Sequence, residues 1–199
     1  MSASGEQLQA SFFERPAPQA AQELIGVALF VEGVGGIIVE TEAYGPGDAA
    51  SHSFAGPTAR NAAMFGPAGR AYVYRSYGIH WCLNFVCGAE PGGAVLLRAL
   101  QATLGIAQMQ ERRGVTDGRL LCSGPGRVTQ ALGVSGDLNG APLDAPPFRL
   151  LARGALPELL VGGRIGVSRA IDTPWRFGLR GSAFLSKPFA GTGRMVGSS

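Results

Sequence analysis

Glu40 and Glu42 stand two residues apart in the run VETEAY, and Tyr44 follows at the same spacing. Side chains alternate along a strand, so Ile38, Glu40, Glu42 and Tyr44 are expected on one face and Ile37, Val39, Thr41 and Ala43 on the other. A carboxylate at a strand end, beside a phenol and ahead of a loop, suits general-base activation of water, and partial burial would lift its pKa toward a useful range. Spacing does not choose between the two glutamates. Either could instead pair with an arginine such as Arg98, a charge that interrupts an otherwise apolar strand at residues 93–100 and is not expected to be idle.

The remaining chemistry-bearing side chains are aromatic rings, amides and arginines. His52 and His80 are the only histidines, and no HExxH motif or Cys/His cluster accompanies them, so no metal site is expected. Residues 70–84 read as two strands joined by a tight turn at Gly78, with Tyr72, Tyr74 and Ser76 on one face and Val73, Arg75 and Tyr77 on the other. Tyr77 falls at the tip, where an aromatic side chain suits insertion into a partner better than packing in a core. Asn84 on the return strand can read a base edge through its amide or satisfy backbone groups. Tyr44, His52, Tyr74 and Asn84 together would box a flat aromatic ligand.

These residues need a scaffold, and 199 residues at 46% hydrophobic suffice for one core. No apolar run of about eighteen residues occurs, and the start MSASGEQLQASFFERP lacks a basic-then-apolar leader pattern, so the expectation is a cytoplasmic, nucleoid-associated protein without membrane contact. Cys82, Cys87 and Cys122 make no CxxC pair and are expected as reduced thiols. The formal charge is +3 and the pI about 9.0. Lys187 is the only lysine among 17 Lys and Arg, so the basic side chains are almost all guanidinium forks suited to phosphate and to stacking on bases.

Along the chain, residues 1–10 are expected to fray and 189–199 to form a flexible tail, leaving one domain over 11–188. A short helix is expected at 18–26, a strand at 27–31, a turn at 33–36 and a strand at 36–44. Residues 45–57 form a loop carrying His52, too long for a tight hairpin. Thr58 is expected to cap a helical turn reaching residue 65. A helix follows at 103–113, then a glycine-rich entry to another helix over 122–132, whose first N–H groups would suit an anion. Residues 136–147 read as a loop, with strands at 148–152, 164–168 and 175–179. Without strict βαβ alternation the expected class is α+β: one compact domain with a largely antiparallel curved sheet, flanking helices and a protruding hairpin.

Six collinear stretches, VETEAY, AASHS, PTARNAAMF, AYVYRSYGIHWCLN, VLLRAL and CSGPGRVTQALG, resemble the alkyladenine (3-methyladenine) DNA glycosylase family in order and spacing, over about residues 12–186. The likeness is to a compact bacterial-type member without a long N-terminal extension. It implies a single mixed α/β domain that excises alkylated and deaminated purines from double-stranded DNA with no cofactor or catalytic metal; a monomer is expected because one wedge serves one lesion. By resemblance Glu42 is the general base, Arg98 lies near the catalytic water and phosphate, and Tyr44, His52 and Tyr74 enclose the extruded base. Tyr77 is the wedge in the stack, and Asn84 crowds the exocyclic amine of guanine. With DNA as partner, Arg60, Arg75 and Arg127 are candidate backbone contacts. His80 stands where a tyrosine can occur, and the loop before PTARN is shorter than in other members.

Two other readings use the same residues. A non-catalytic nucleic-acid-binding module would use the aromatics as stacking platforms. A sugar glycosidase would use Glu40 and Glu42, which strand geometry places roughly 7 Å apart.

Overall fold

The computed structural model describes residues 5–155 and 157–189. Helix α1, Ala17–Leu24, begins behind Pro16 and buries Ala17, Ala20, Ala21 and Leu24, one stripe at helical spacing. Gly26, at φ +91°, turns the chain away. Arg153 Nη1 donates to the carbonyls of Glu23 and Ile25 at the helix end, where no backbone partner exists.

Strands β1, Ala28–Val31, and β2, Val34–Tyr44, form a hairpin. Its turn is tighter than the expected 33–36: only Glu32 and Gly33 lie outside the strands, both at positive φ. Gly35 and Gly36 pair with β1 within β2, and neighbouring backbone leaves no room for a side chain at either. A Cβ at either would sit 1.9 Å from a carbonyl oxygen, of Leu29 or Gln101 respectively.

Strict alternation along β2 also fails at one point. The register slips between Ile38 and Glu40 and again between Glu40 and Thr41, where the strand passes from β1 on one side to β8, Arg176–Leu179, on the same side. This bulge puts Ile38 in the main core with Ala43, although alternation placed them on opposite faces. Thr41 Oγ1 donates to Ala21 O of α1 at 2.8 Å, and Glu40, Glu42 and Tyr44 turn the other way as expected.

Strands β3, Ala71–Ser76, and β4, His80–Cys87, form the foreseen hairpin, with Ser76 opposite His80 and the loop Tyr77-Gly78-Ile79 projecting beyond the pair. Strand β5, Gly93–Leu104, runs four residues past the expected end, taking Thr103 and Leu104 that were assigned to the next helix. Gly105, at φ +73°, then allows α2, Ile106–Arg113, to start. A short helix α3, Gly118–Leu121, was not foreseen; Asp117 caps it through Arg119 N at 2.9 Å. Helix α4, Pro125–Leu132, ends at Gly133 as expected and backs the hairpin: Thr129 Oγ1 donates to Trp81 O at 2.9 Å, and a Cβ at Gly126 would lie 2.4 Å from His80 Cδ2.

Residues 62–65 make a 3-10 turn with Asn61 at its N-cap position; Thr58 caps the turn that leads into it, its Oγ1 accepting from Asn61 N at 3.3 Å and donating to Asn61 Oδ1 at 2.9 Å. Strand β6, Phe148–Leu151, pairs with β1. The next strand, β7, lies at Leu159–Gly162 rather than at 164–168. Residues 164–168 are a loop because Arg164 and the Ile165 amide bond across to the end of β2 and to Asp48.

All strand pairs are antiparallel, in the order β3-β4-β5-β2-β1-β6 with β8 bridging β2 and β7. The sheet curls into a half-barrel in one mixed domain, which bears out the α+β expectation. Phe13, Leu24, Leu29, Ile38, Phe85 and Leu97 centre the main core; Met64, Tyr72, Val86 and Ala94 make a smaller one behind the hairpin face. Within the segment expected to fray, Glu6 and Leu8 hydrogen-bond along β6. Residues 1–4 and 190–199 lie outside the described residues. The three cysteines are free and buried, and burial pushes the Cys87 and Cys122 thiols up to about 12. No helix among the described residues is long and apolar enough to cross a membrane.

Candidate active site

A cleft of about 1110 Å³ opens between the β3–β4 hairpin and the loop 165–169, with Asn84, Leu96 and Arg98 also in its lining. Antiparallel pairing brings these together: Asn84 on β4 stands opposite Leu96 on β5, and Leu96 opposite Glu42 on β2.

Both glutamates are fully buried, yet their surroundings differ. Glu40 Oε1 accepts from Arg98 Nε at 3.0 Å, Arg176 Nε at 2.8 Å and Ser186 Oγ at 2.8 Å, and its Oε2 accepts from the Ser186 amide. Three of these donors meet Oε1 and one meets Oε2, and three of the four come from Arg176 and Ser186, which do not line the cleft. Glu42 has two hydrogen bonds and one ion-pair contact: Tyr44 Oη donates to Oε2 at 2.9 Å, Arg98 Nη1 lies 3.2 Å from the same oxygen, and Ile165 N donates to Oε1 at 2.7 Å. One acceptor position remains. Tyr44, Arg98 and Ile165 all line the cleft, and Glu42 sits directly beneath them.

Arg98 is thus gripped by both glutamates, with Ser186 Oγ accepting from its Nε and Nη2 at 3.3 and 3.2 Å. Sequence allowed Arg98 to pair with one or both carboxylates; it bridges the two. Burial and the adjacent Glu42 charge drive the Tyr44 phenol well above its usual range, which keeps it a donor.

The aromatic wall is built from β3 and the loop 45–57. Tyr72 and Tyr74 stack at 5.3 Å, and His52 meets Tyr74 edge-on at 4.6 Å. His52 Nδ1 lies 3.0 Å from Tyr72 Oη. Tyr72, absent from the expected pocket, therefore holds His52 in place. Its phenol is pushed up to about 12 by burial, and burial together with the Arg60 charge lowers the His52 pKa, so a neutral imidazole faces the cleft at pH 7. Asn84 is buried, with Nδ2 donating to Tyr72 O at 3.0 Å, which fixes its amide plane in the cleft lining.

Tyr77 is 90% exposed at φ +49°, a left-handed backbone that only the turn requires. Arg60 donates to Arg75 O at 2.8 Å and lies 5.9 Å over Tyr74, while the Arg75 guanidinium lies 5.8 Å over Trp81. Both line the cleft. Arg127 is exposed on the first turn of α4 and bonds Ser123 Oγ at 2.9 Å, but is not part of that lining.

Sequence reasoning missed Asp48, Arg164, Arg176 and Ser186, whose partners lie far along the chain and leave no local signal. It also missed Arg169, which lines the cleft. The glycosidase reading is weakened, because Glu40 is fully buried and bonded to Arg176 and Ser186, which lie outside the cleft lining.

A family model for Methylpurine-DNA glycosylase matches residues 11–183. A protein of Rhodopseudomonas palustris is 61% identical over 187 residues, 94% of each chain. One of Rhizobium meliloti is 60% identical over 89% of this chain and 95% of its own, and one of Agrobacterium fabrum is 59% identical over 90% and 92%. Each of the three bears the name "Putative 3-methyladenine DNA glycosylase". With that likeness running through every element around the cleft, the chain belongs to the methylpurine-DNA glycosylase family and is a glycosylase, a hydrolase.

Proposed function

We propose that the cleft hydrolyses the N-glycosidic bond of alkylated or deaminated purines, such as 3-methyladenine, 7-methylguanine and hypoxanthine, in double-stranded DNA after the damaged base rotates out of the stack. The observation that carries this reading is the different setting of the two glutamates: three of the four donors to Glu40 come from Arg176 and Ser186, outside the cleft lining, whereas all three partners of Glu42, namely Tyr44, Arg98 and Ile165, line the cleft, and its Oε1, with a single donor, keeps an acceptor position. We assign that position to the attacking water. Glu42 has no exposed surface in this conformation, so water reaches it past Tyr44, Arg98 or Ile165.

In the proposed step the water oxygen bonds to C1′ of the sugar, the C1′–N bond breaks, the purine leaves with the bonding electrons and Glu42 takes the water proton. Arg98 holds the Glu42 carboxylate and faces the sugar-phosphate. An N3- or N7-alkylated purine is cationic and leaves readily, and the neutral rings of Tyr44, His52 and Tyr74 attract such a cation. Asn84, fixed by Tyr72 O, stands where the exocyclic amine of guanine would crowd it. Arg60 and Arg75 meet phosphates at the cleft mouth, with Arg127 farther along the duplex. One wedge serves one lesion, so the enzyme acts as a monomer.

Extruding a base costs about a few kcal/mol, and a side chain that fills the gap offsets part of it. Tyr77→Ala should leave thermal stability nearly unchanged, since the side chain is exposed at the tip of the hairpin. It should weaken binding to a lesion-containing duplex more than to the same single strand, as read by fluorescence anisotropy. Equal losses on both would remove the wedge.

The reaction class is tested with an end-labelled duplex bearing one hypoxanthine. The expected product is an intact strand with an abasic site that breaks only on alkali treatment. Strand breakage without alkali, with a borohydride-trapped covalent complex, would point to amine chemistry instead.

A further inference from the structure

The cleft wall opposite the hairpin consists of two loops, 45–57 and 163–170, that hold no regular structure of their own. One buried ion pair joins them. Arg164 Nη2 donates to Asp48 Oδ1 at 3.0 Å while Nη1 donates to Asp48 Oδ2, and the same Nη1 donates to Ala43 O at 2.9 Å. The guanidinium also lies 4.8 Å over the Tyr44 ring and 5.5 Å over Trp175. Asp48 Oδ1 in turn accepts from Ala50 N at 3.0 Å.

The consequences on either side of the pair bear on the cleft. Ala49, Ala50 and His52 follow Asp48 onto its surface; Ile165 follows Arg164, sends its amide to Glu42 Oε1 at 2.7 Å, and the next four residues continue the wall. Arg164 itself does not reach the cleft. A buried ion pair is weak evidence for stability, because desolvation offsets much of the attraction. A planar fork that bonds a carboxylate at two points and stacks on a ring is strong evidence for fixed orientation.

We propose that Asp48 and Arg164 are positioning residues for excision: together they clamp the two loops so that the Ile165 amide stays on Glu42 and the Tyr44 ring keeps its place. The inference rests on the reading of Glu42 as general base. A lysine at 164 keeps the charge but loses the fork and the stacking, so charge and orientation can be separated.

The test uses the full chain carrying Arg164→Lys or Asp48→Asn, with folding checked by circular dichroism. Single-turnover excision of hypoxanthine at saturating enzyme should fall by about 10- to 100-fold, with affinity for undamaged duplex unchanged. In a Glu42→Gln background the same substitutions should add little, because they act through Glu42. Full-rate excision by a folded Arg164→Lys variant, or a loss that simply multiplies that of Glu42→Gln, overturns the inference. Amide exchange at Ile165 reads the clamp without any reaction: it should quicken in Asp48→Asn while β1 amides stay protected, and unchanged exchange overturns the clamp. A wild-type chain that fails to excise would refute the Glu42 reading, while the exchange result would still decide the clamp.

Discussion

Glu42→Gln is expected to slow single-turnover excision by roughly 10²–10⁴-fold, the usual range for a lost general base, while retaining affinity for lesion-containing duplex. The substitution preserves volume and leaves Arg98 with Glu40, so the protein should fold. Tyr44 Oη and Ile165 N bond different oxygens of Glu42; on glutamine the carbonyl oxygen can keep the Ile165 amide, and the Tyr44 hydroxyl can rotate to accept from the side-chain NH2. What is lost is the ability to take a proton from water. Binding and rate measured on the same duplex separate this outcome from a collapsed cleft, in which both would fall. A Glu42→Gln enzyme with normal rate would transfer the chemistry to another group.

The largest effect on stability is expected at Glu40. This carboxylate is fully buried beneath two guanidinium groups, and its Ser186 partner ties the segment after β8 to the sheet. Removing one member of a buried charge network strands the others, at a cost of about 3–5 kcal/mol. For a domain of this size, Glu40→Ala should therefore lower Tm by roughly 6–20 °C. The variant's activity should recover in proportion to its folded fraction on cooling. A Glu40→Ala protein with wild-type Tm but abolished excision would make Glu40 a chemical participant and contradict the division of labour between the two glutamates.

That division was not readable from the chain. Glu40, Glu42 and Tyr44 share a face because of their spacing, and the hairpin 70–84 declared itself through its alternation and Gly78; both local patterns survive folding. Which glutamate is held away from the cleft lining depends on Arg176 and Ser186, which arrive 136 and 146 residues later in the chain. The bulge near Val39 is set by β1 and β8 meeting along one side of β2, a tertiary event with no mark in the residue pattern. The strand expected at 164–168 failed for a similar reason: Arg164 and Ile165 spend their polar groups on Asp48, Ala43 and Glu42, not on a neighbouring strand. Family resemblance supplied roles for named positions; the geometry separates two near-identical carboxylates by their partners, cleft-lining residues around Glu42 and Arg176 with Ser186 around Glu40.

The central claim is most directly tested by counting free purine released from an N-methylated duplex at saturating enzyme, with wild type and Glu42→Gln run side by side and the products separated chromatographically. The expected result is stoichiometric release of 3-methyladenine by wild type and release slowed by roughly 10²–10⁴-fold in the variant at equal DNA occupancy. No release by the wild-type chain, or equal rates from the two proteins, would contradict it.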